Sequence, residues 1–251
     1  MEKINLSPDP KSSIIILAYD SPQHLIKTVE TLRDHTDYLD FEIVISDNSI
    51  GTPKEEEIRS LCIDYSGGWE NIFYIKNSEN LYHGPGCMAG FSIVDKKSKY
   101  IVFANDDIFI PASQSYWLKK MVDFMEKDER AASVTPALYS EKETVYWVGK
   151  KNPDQPYHDF LHIPRGDERI PIYPTKTCYN NFALILTRRY LVEEIPIGQT
   201  CKHYGSDSEF ANRIKDKYPD MEHWVIPEIK CYHFNLFAKR FNYGKDKIVD
   251  G

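Results

Sequence analysis

Early in the chain a polar stretch, Ser7-Pro8-Asp9-Pro10, gives way to Ile14-Ile15-Ile16-Leu17-Ala18-Tyr19. A short unbroken apolar run rich in β-branched residues is the pattern of a strand covered on both faces. Asp20-Ser21-Pro22 then supplies N-cap candidates and an N-terminal proline, and Leu25, Val29 and Leu32 recur at helical spacing. Strand passes to helix. Phe41 to Ser46 repeats the strand pattern, Asp47-Asn48-Ser49 turns, and Pro53 to Asp64 predicts a helix with acidic residues in its first turn, where they complement the helix dipole. Ile72 to Ile75 predicts a third strand, Gly84 to Val94 a helix, and Tyr100 to Ala104 a fourth strand that runs into Asn105-Asp106-Asp107. This alternation predicts an α/β fold with a mainly parallel central sheet and helices on both faces.

The second half changes character. Ser113 to Lys127 predicts a helix, and Ala131 to Leu138 and Val145 to Val148 predict strands. Residues 152–177 carry Pro153, Pro156, Pro164, Pro171 and Pro174 among many charges, which predicts a long surface loop of the kind used as a lid or acceptor site. Phe182 to Leu186 predicts a buried strand, Asp207 to Lys217 a helix, and Trp224 to Ile226 and Ile229 to Tyr232 two short strands around Pro227. No internal repeat or low-complexity tract interrupts this order.

Composition narrows the class. With 251 residues, 41% hydrophobic and 27% charged, the chain can bury a sizeable core. The net charge of -7 makes nucleic acid an unlikely partner, because a phosphate-backbone binder needs a positive surface. The longest clean apolar run, Ile14 to Tyr19, is too short for a membrane span or a secretory core, so the sequence reads as cytoplasmic. Cys62, Cys87, Cys178, Cys201 and Cys231 are odd in number and lack C-x-x-C spacing, which predicts reduced, mostly buried thiols.

In an open parallel sheet, ligands collect at the carboxyl ends of the strands. Asp20, Asp47, Asn77 with Asn80, and Asn105-Asp106-Asp107 follow four successive predicted strands. Singly, each such residue is more often a turn former or helix cap; together they suggest a site. The adjacent carboxylates Asp106 and Asp107 repel unless a proton or cation neutralises them, and a hard divalent ion bridging to a phosphate does so using one or two carboxylates. A solvated turn with a capping aspartate is the competing explanation.

Several segments in order carry a family resemblance: Ser13 to Tyr19; Phe41-Glu42-Ile43-Val44-Ile45-Ser46-Asp47-Asn48-Ser49; Asn77-Ser78-Glu79-Asn80-Leu81-Tyr82-His83-Gly84-Pro85-Gly86; and Phe103-Ala104-Asn105-Asp106-Asp107. Further along come Gly205-Ser206-Asp207-Ser208-Glu209-Phe210-Ala211-Asn212-Arg213 and Cys231-Tyr232-His233. Over roughly residues 12–235 the chain resembles family 2 glycosyltransferases of the GT-A fold, the rhamnosyltransferase-like nucleotide-sugar transferases.

The resemblance implies a mixed, mainly parallel sheet with a smaller second sheet on the acceptor side. It implies one domain over residues 1–251, with a nucleotide-sugar-binding half at 11–110, an acceptor and catalytic half at 111–235 and a tail at 236–251. Ala18, Tyr19 and Asp20 would border the nucleotide, Asp47 would bond its base, and Asn80 with Gly84 and Gly86 would line the donor site. Asn105, Asp106 and Asp107 occupy the place of the family's D-x-D signature. Asp106 would position the ribose side, and Asp107, completed by His233, would hold manganese or magnesium on the diphosphate. Asp207 would be the general base of an inverting transfer from a nucleotide-diphosphate sugar to a carbohydrate or glycoconjugate acceptor. The chain departs from the family pattern at four places. Asn105 opens the D-x-D, Tyr82 and Met88 stand where relatives often have Gly and Asn, and Ser206 replaces a Glu, which leaves Glu209 as a second candidate base.

Other readings compete. Gly84-x-Gly86-x-x-Ala89 fits a dinucleotide fingerprint of a Rossmann-type oxidoreductase, but its glycines do not follow the preceding strand directly. A nucleotidyltransferase lacks its Gly-rich loop here, and no Gly-Lys-Ser/Thr marks a Walker A. A non-catalytic, glycan-binding relative stays open. His158-x-x-x-His162 has ligand spacing, but the prolines around it favour ordinary loop histidines. The tail residues Lys239, Arg240, Lys245 and Lys247, interleaved with Phe237, Phe241 and Tyr243, leave peripheral membrane contact open, although Asp246 and Asp250 dilute the charge.

Overall fold

β1 (Ser12–Ala18) is buried along its whole length, as its apolar run requires. The computed structural model describes residues 11–150, 162–202 and 205–234. The Ser7 to Pro10 stretch, His158 and the basic tail lie outside the described residues. α1 (Pro22–Asp34), β2 (Phe41–Asp47), α2 (Glu55–Gly68), β3 (Ile72–Lys76), α3 (His83–Phe91) and β4 (Tyr100–Asn105) complete the first half. β5 (Ile108–Phe109), α4 (Trp117–Lys127), β6 (Ala131–Tyr139), β7 (Val145–Trp147), β8 (Thr175–Thr177), β9 (Leu184–Arg188), α5 (Arg189–Glu194), α6 (Ser206–Lys217) and β10 (Glu222–His233) follow.

Successive side chains of a strand point to opposite faces, and β1 supplies both cores. Ile14 and Ile16 pack with Leu25, Val29 and Leu32 of α1, Ile58 of α2 and Trp117 and Met121 of α4. Ile15 and Leu17 pack with Cys87 of α3, Leu191 and Val192 of α5 and Phe210 and Ile214 of α6. The cysteines are all free, and Cys62, Cys87 and Cys231 are buried. Among the described residues no helix is long and apolar enough to cross a membrane.

The sheet runs β3-β2-β1-β4-β9-β6-β10-β5, with β7 on β6 and β8 on β10. β1 to β4 are parallel, and antiparallel β9 joins them to the second half. The acceptor-side strands therefore belong to the same ten-stranded sheet, where a separate smaller sheet was expected. The reason lies in β10, which is one strand across Pro227 where the sequence suggested two. A register shift between Ile226 and Lys230 absorbs the proline, as an edge or bulge position allows. β10 thus continues past it to pair with β5 at Tyr232 and His233, while its first half pairs with β8.

This continuation curls the sheet. Asn105 ends β4 and Ile108 begins β5, so only two residues intervene, and three residue steps reach at most about 10 Å. In the sheet order β5 lies four strand steps from β4, about 19 Å if the sheet were flat. The far end of β10 must return toward the carboxyl end of β4. Arg188 braces the opposite end of the fold, where its buried guanidinium donates to the carbonyls of Met125 (2.7 Å), Asp128 (2.9 Å) and Ala131 (2.9 Å).

Candidate active site

The carboxyl ends of β1, β2, β3 and β4 meet as the parallel arrangement predicts. Past β1, the Tyr19 N–H donates to Asp106 Oδ2 at 2.7 Å, and the Asp20 N–H to Ser49 Oγ at 3.2 Å. Asp20 adopts a positive φ of 50°, one of the few non-glycine residues to do so. The Ala18 carbonyl accepts from the Asn48 N–H at 2.9 Å. The expected site residues Ala18, Tyr19, Asp20 and Asp106 are therefore brought together.

Asp47 also lies at this rim, but inside it. Only 1% of it is exposed. Its Oδ1 accepts from the Ser49 N–H at 2.8 Å and its Oδ2 from the Tyr74 hydroxyl at 3.0 Å. Burial, and then the Asp47 charge, push the Tyr74 pKa up. In this arrangement Asp47 shapes the turn that presents Asn48 and Ser49.

Asn48 and Asn77 brace the next segment. Asn77 Nδ2 donates to Asn48 Oδ1 at 2.7 Å, and Asn48 Nδ2 donates to the Tyr82 carbonyl at 2.7 Å. Asn80 turns the chain by accepting the Tyr82 N–H at 2.9 Å. Two glycines then let α3 approach. A Cβ on Gly86 would stand 2.6 Å from Leu17 Cδ1 and 2.7 Å from Asn48 Nδ2, and one on Gly84 would stand 2.5 Å from the Gly198 Cα. The Gly84 N–H donates to the Lys202 carbonyl at 2.9 Å, and the Gly86 carbonyl accepts from Ser46 Oγ at 2.8 Å.

His83 links this segment to α6. Its Nδ1 lies 3.1 Å from Ser206 Oγ, and its ring stacks on Phe182. Asp207, the next residue, is in the first turn of α6, which enters through Gly205 at φ 81°. Its Oδ1 accepts the Ser208 N–H at 2.8 Å. Burial raises its pKa above the ordinary 3.8, against the opposing pull of that hydrogen bond. Glu209 is engaged elsewhere. Its carboxylate accepts the Thr200 N–H at 3.0 Å and the Cys201 N–H at 2.9 Å, and Arg213 stands 3.9 Å away. Burial alone would raise its pKa, but these N–H donors and Arg213 hold it below the usual value. Glu209 clamps a loop, and Asp207 is left as the carboxylate of this helix start with a raised pKa.

The curl of β10 brings His233 to Asp107. Its Nε2 lies 3.0 Å from Asp107 Oδ1 and 3.3 Å from Asn105 Nδ2, with both the imidazole and the carboxylate buried. The Tyr146 ring packs on the imidazole at 4.2 Å between centroids. An imidazole nitrogen and a carboxylate oxygen this close need a proton or a cation shared between them. Among the described residues no three His, Cys, Asp or Glu side chains converge, so the chain supplies a pair of potential ligands. A pair suits an ion that draws its remaining ligands from water and phosphate oxygens.

Ser49, Tyr74, His83 and Tyr146 also take part in this rim, although none of them was a candidate site residue from sequence. Ser49 and Tyr74 act through a turn and a neighbouring strand, and Tyr146 sits on β7, a strand that is readable in the sequence although its approach to His233 is not.

The family model "Glycosyl transferase family 2" matches residues 13–195. No curated protein matches the chain. Among solved structures, the chain is similar to GalNAc-T7 in complex with UDP, GalNAc and Mn2+, with a TM-score of 0.67 and 15% identity, covering 92% of this chain and 44% of that one. It is similar also to the mannosyltransferase PcManGT from Pyrobaculum calidifontis in complex with GDP-Man and Mn2+, with a TM-score of 0.62 and 15% identity, covering 92% of this chain and 60% of that one. The chain thus spans less than two thirds of either protein's length. At this identity the likeness establishes the GT-A fold, and the match of the family model across most of the chain places the protein in glycosyltransferase family 2.

Proposed function

We propose that the protein is an inverting, divalent-metal-dependent glycosyltransferase that moves a sugar from a nucleotide-diphosphate sugar to a hydroxyl of a carbohydrate or glycoconjugate. Residues 11–110 would supply the donor half and residues 111–235 the acceptor half. The observation that carries this reading is the buried Asp107–His233 pair, 3.0 Å apart, at the end of the strand whose next carboxylate, Asp106, holds the Tyr19 backbone. The two similar solved structures, one with UDP, GalNAc and Mn2+ and the other with GDP-Man and Mn2+, support a divalent metal here.

Asp107 and His233 would hold the ion, which when bound supplies positive charge to the leaving diphosphate. Asp106 fixes the β1 loop by accepting from the Tyr19 N–H, so that Tyr19 and Asp20 line the nucleotide. Asn80, Gly84 and Gly86 shape the donor loop. Asp207 accepts the proton of the acceptor hydroxyl as that oxygen attacks the anomeric carbon, and the raised pKa of its carboxyl suits a general base better than the clamped Glu209. One displacement with no covalent sugar–enzyme bond inverts the anomeric configuration.

Calorimetry and thermal shift with UDP-, GDP-, CMP- and dTDP-sugars, each with and without manganese, test the reading. Ligand that binds the native state raises its melting temperature. A manganese-dependent shift with one nucleotide is the expected result, and no shift with any of them would overturn it.

A further inference from the structure

β3 ends the ten-stranded sheet, and among the described residues β2 is the only strand that pairs with it. Alternate residues of a strand turn their backbone groups to opposite edges. The Asn71 carbonyl accepts from the Ile43 N–H at 2.8 Å, and the Asn77 N–H donates to the Asp47 carbonyl at 3.1 Å. The odd-numbered residues between them therefore face β2, and Ile72, Tyr74 and Lys76 turn their backbone outward. The Ile72 N–H is taken by the Trp69 carbonyl at 3.3 Å. Along the outer edge this leaves the Ile72 carbonyl, the Tyr74 N–H and carbonyl, and the Lys76 N–H and carbonyl.

This sequence of groups complements itself. A second copy of β3, turned about a two-fold axis at Tyr74, runs antiparallel and sets Tyr74 opposite Tyr74 and Ile72 opposite Lys76. The two Tyr74 residues then exchange N–H and carbonyl, and each Lys76 N–H meets an Ile72 carbonyl. The Ile72 N–H, already bonded in its own turn, is not needed, and the Lys76 carbonyl at the strand end is left to water.

The charges agree with the same register. Glu70, exposed in the turn before β3, and Lys76, exposed at its end, have opposite signs. Antiparallel pairing brings the start of each strand to the end of the other, so each Glu70 stands diagonal to a Lys76 of the second copy, within reach of long side chains. Parallel pairing would set like charges side by side. Lys76 also pairs with Glu55 of its own copy at 2.8 Å, which places the ammonium between two carboxylates. On the other face of the strand Phe73, 43% exposed, comes opposite the half-buried Ile75, an aromatic ring against a β-branched side chain. Most open edges avoid such an exposed ring.

We infer that the edge of β3 is a self-association surface, where two copies of this chain join antiparallel into one continuous sheet. The carboxyl ends of β1 to β4 then point in opposite directions in the two copies. Each copy keeps its own rim open, and the association requires neither donor nor metal.

Sedimentation equilibrium of the full chain over a series of concentrations tests this surface. The unmodified protein should dimerise as concentration rises. Glu70→Lys and Lys76→Glu each set like charges at both symmetric contacts and should weaken the dimer about tenfold. An equimolar mixture of the two variants should recover it, because every such contact in the mixed pair is again between opposite charges. Phe73→Cys mixed with Ile75→Cys should give a covalent dimer on mild oxidation with oxidised glutathione, seen on a non-reducing gel. Either variant alone should not, since its cysteines then lie diagonally, beyond disulfide reach. A protein that stays monomeric at every concentration would overturn the inference. So would a dimer that neither charge substitution weakens or that the mixture fails to restore, or one that the paired cysteines fail to cross-link.

Discussion

His233 is held against Asp107 by the backbone as well as by the side chains. It pairs with Ile108 in the β5–β10 ladder, and the Phe234 N–H donates to the Asp107 carbonyl at 3.0 Å. The carboxylate and the imidazole are thereby aimed at each other before any ligand arrives. Preorganisation of this kind reduces the ordering cost of binding.

Removal of either member should show in a metal titration. For Asp107→Ala and His233→Ala, manganese affinity in the presence of donor should fall by at least about tenfold, the loss already typical for residues that merely orient a metal ligand. An unaltered titration for His233→Ala would make the imidazole a packing group for Tyr146.

Asp207→Asn should separate binding from turnover. The amide keeps an oxygen for the Ser208 N–H but cannot take a proton, so donor affinity should stay and transfer should fall by about 10²–10⁴-fold. Retained turnover would move the base to another group.

The same carboxyl sets a pH dependence in activity and in stability. A base must be ionised, so transfer should decline as pH falls through the Asp207 pKa, which burial lifts above 3.8. For stability the sign is opposite. Because the folded state binds this proton more tightly than the unfolded chain, the contribution of the group is greatest at low pH and is lost as pH rises from 3.8 through the raised value. Asp207→Asn should therefore melt above the unmodified protein at neutral pH, and the gap should close in acid. A gap that did not change between those conditions would mean that the carboxylate is not penalised by burial.

Arg188 gives a prediction far from the chemistry. Its guanidinium holds three carbonyls around the end of α4 and the start of β6. Arg188→Met should lower stability to urea by about 3 kcal/mol, since charged hydrogen bonds are lost and buried acceptors are left unpaired. A loss under about 1 kcal/mol would mean that water replaces the guanidinium.

Much of the first half of the fold was legible because β1, β2 and β4 are buried almost throughout and α1 carries a regular apolar stripe. Ile14 to Ala18 and Leu25, Val29 and Leu32 announce themselves by period alone. β5, β8 and α5 have two, three and six residues, too few for any period to emerge. Pro227 read as a strand break, although β10 carries it within a register shift. In the site, acidic and amide residues at strand ends were legible from their position. The different surroundings of Asp207 and Glu209 were not, because the groups that distinguish them, the Thr200 and Cys201 N–H, approach Glu209 only after the loop folds back. Nor could sequence show that Asp47 faces inward, since its turn at Ser49 and its neighbour Tyr74 are joined only when β2 and β3 pair.

The curled course of β10 has a thermodynamic side. In most sheets the outermost strand can fray without disturbing a site at the centre. Here the outermost pair, β5 with the end of β10, is also where Asp107 and His233 meet, so opening that margin dissolves the pair in the same event. Amide exchange at Tyr232 and His233 should accordingly slow when manganese and nucleotide are added together, and the protection should report occupancy of the centre from the rim of the molecule.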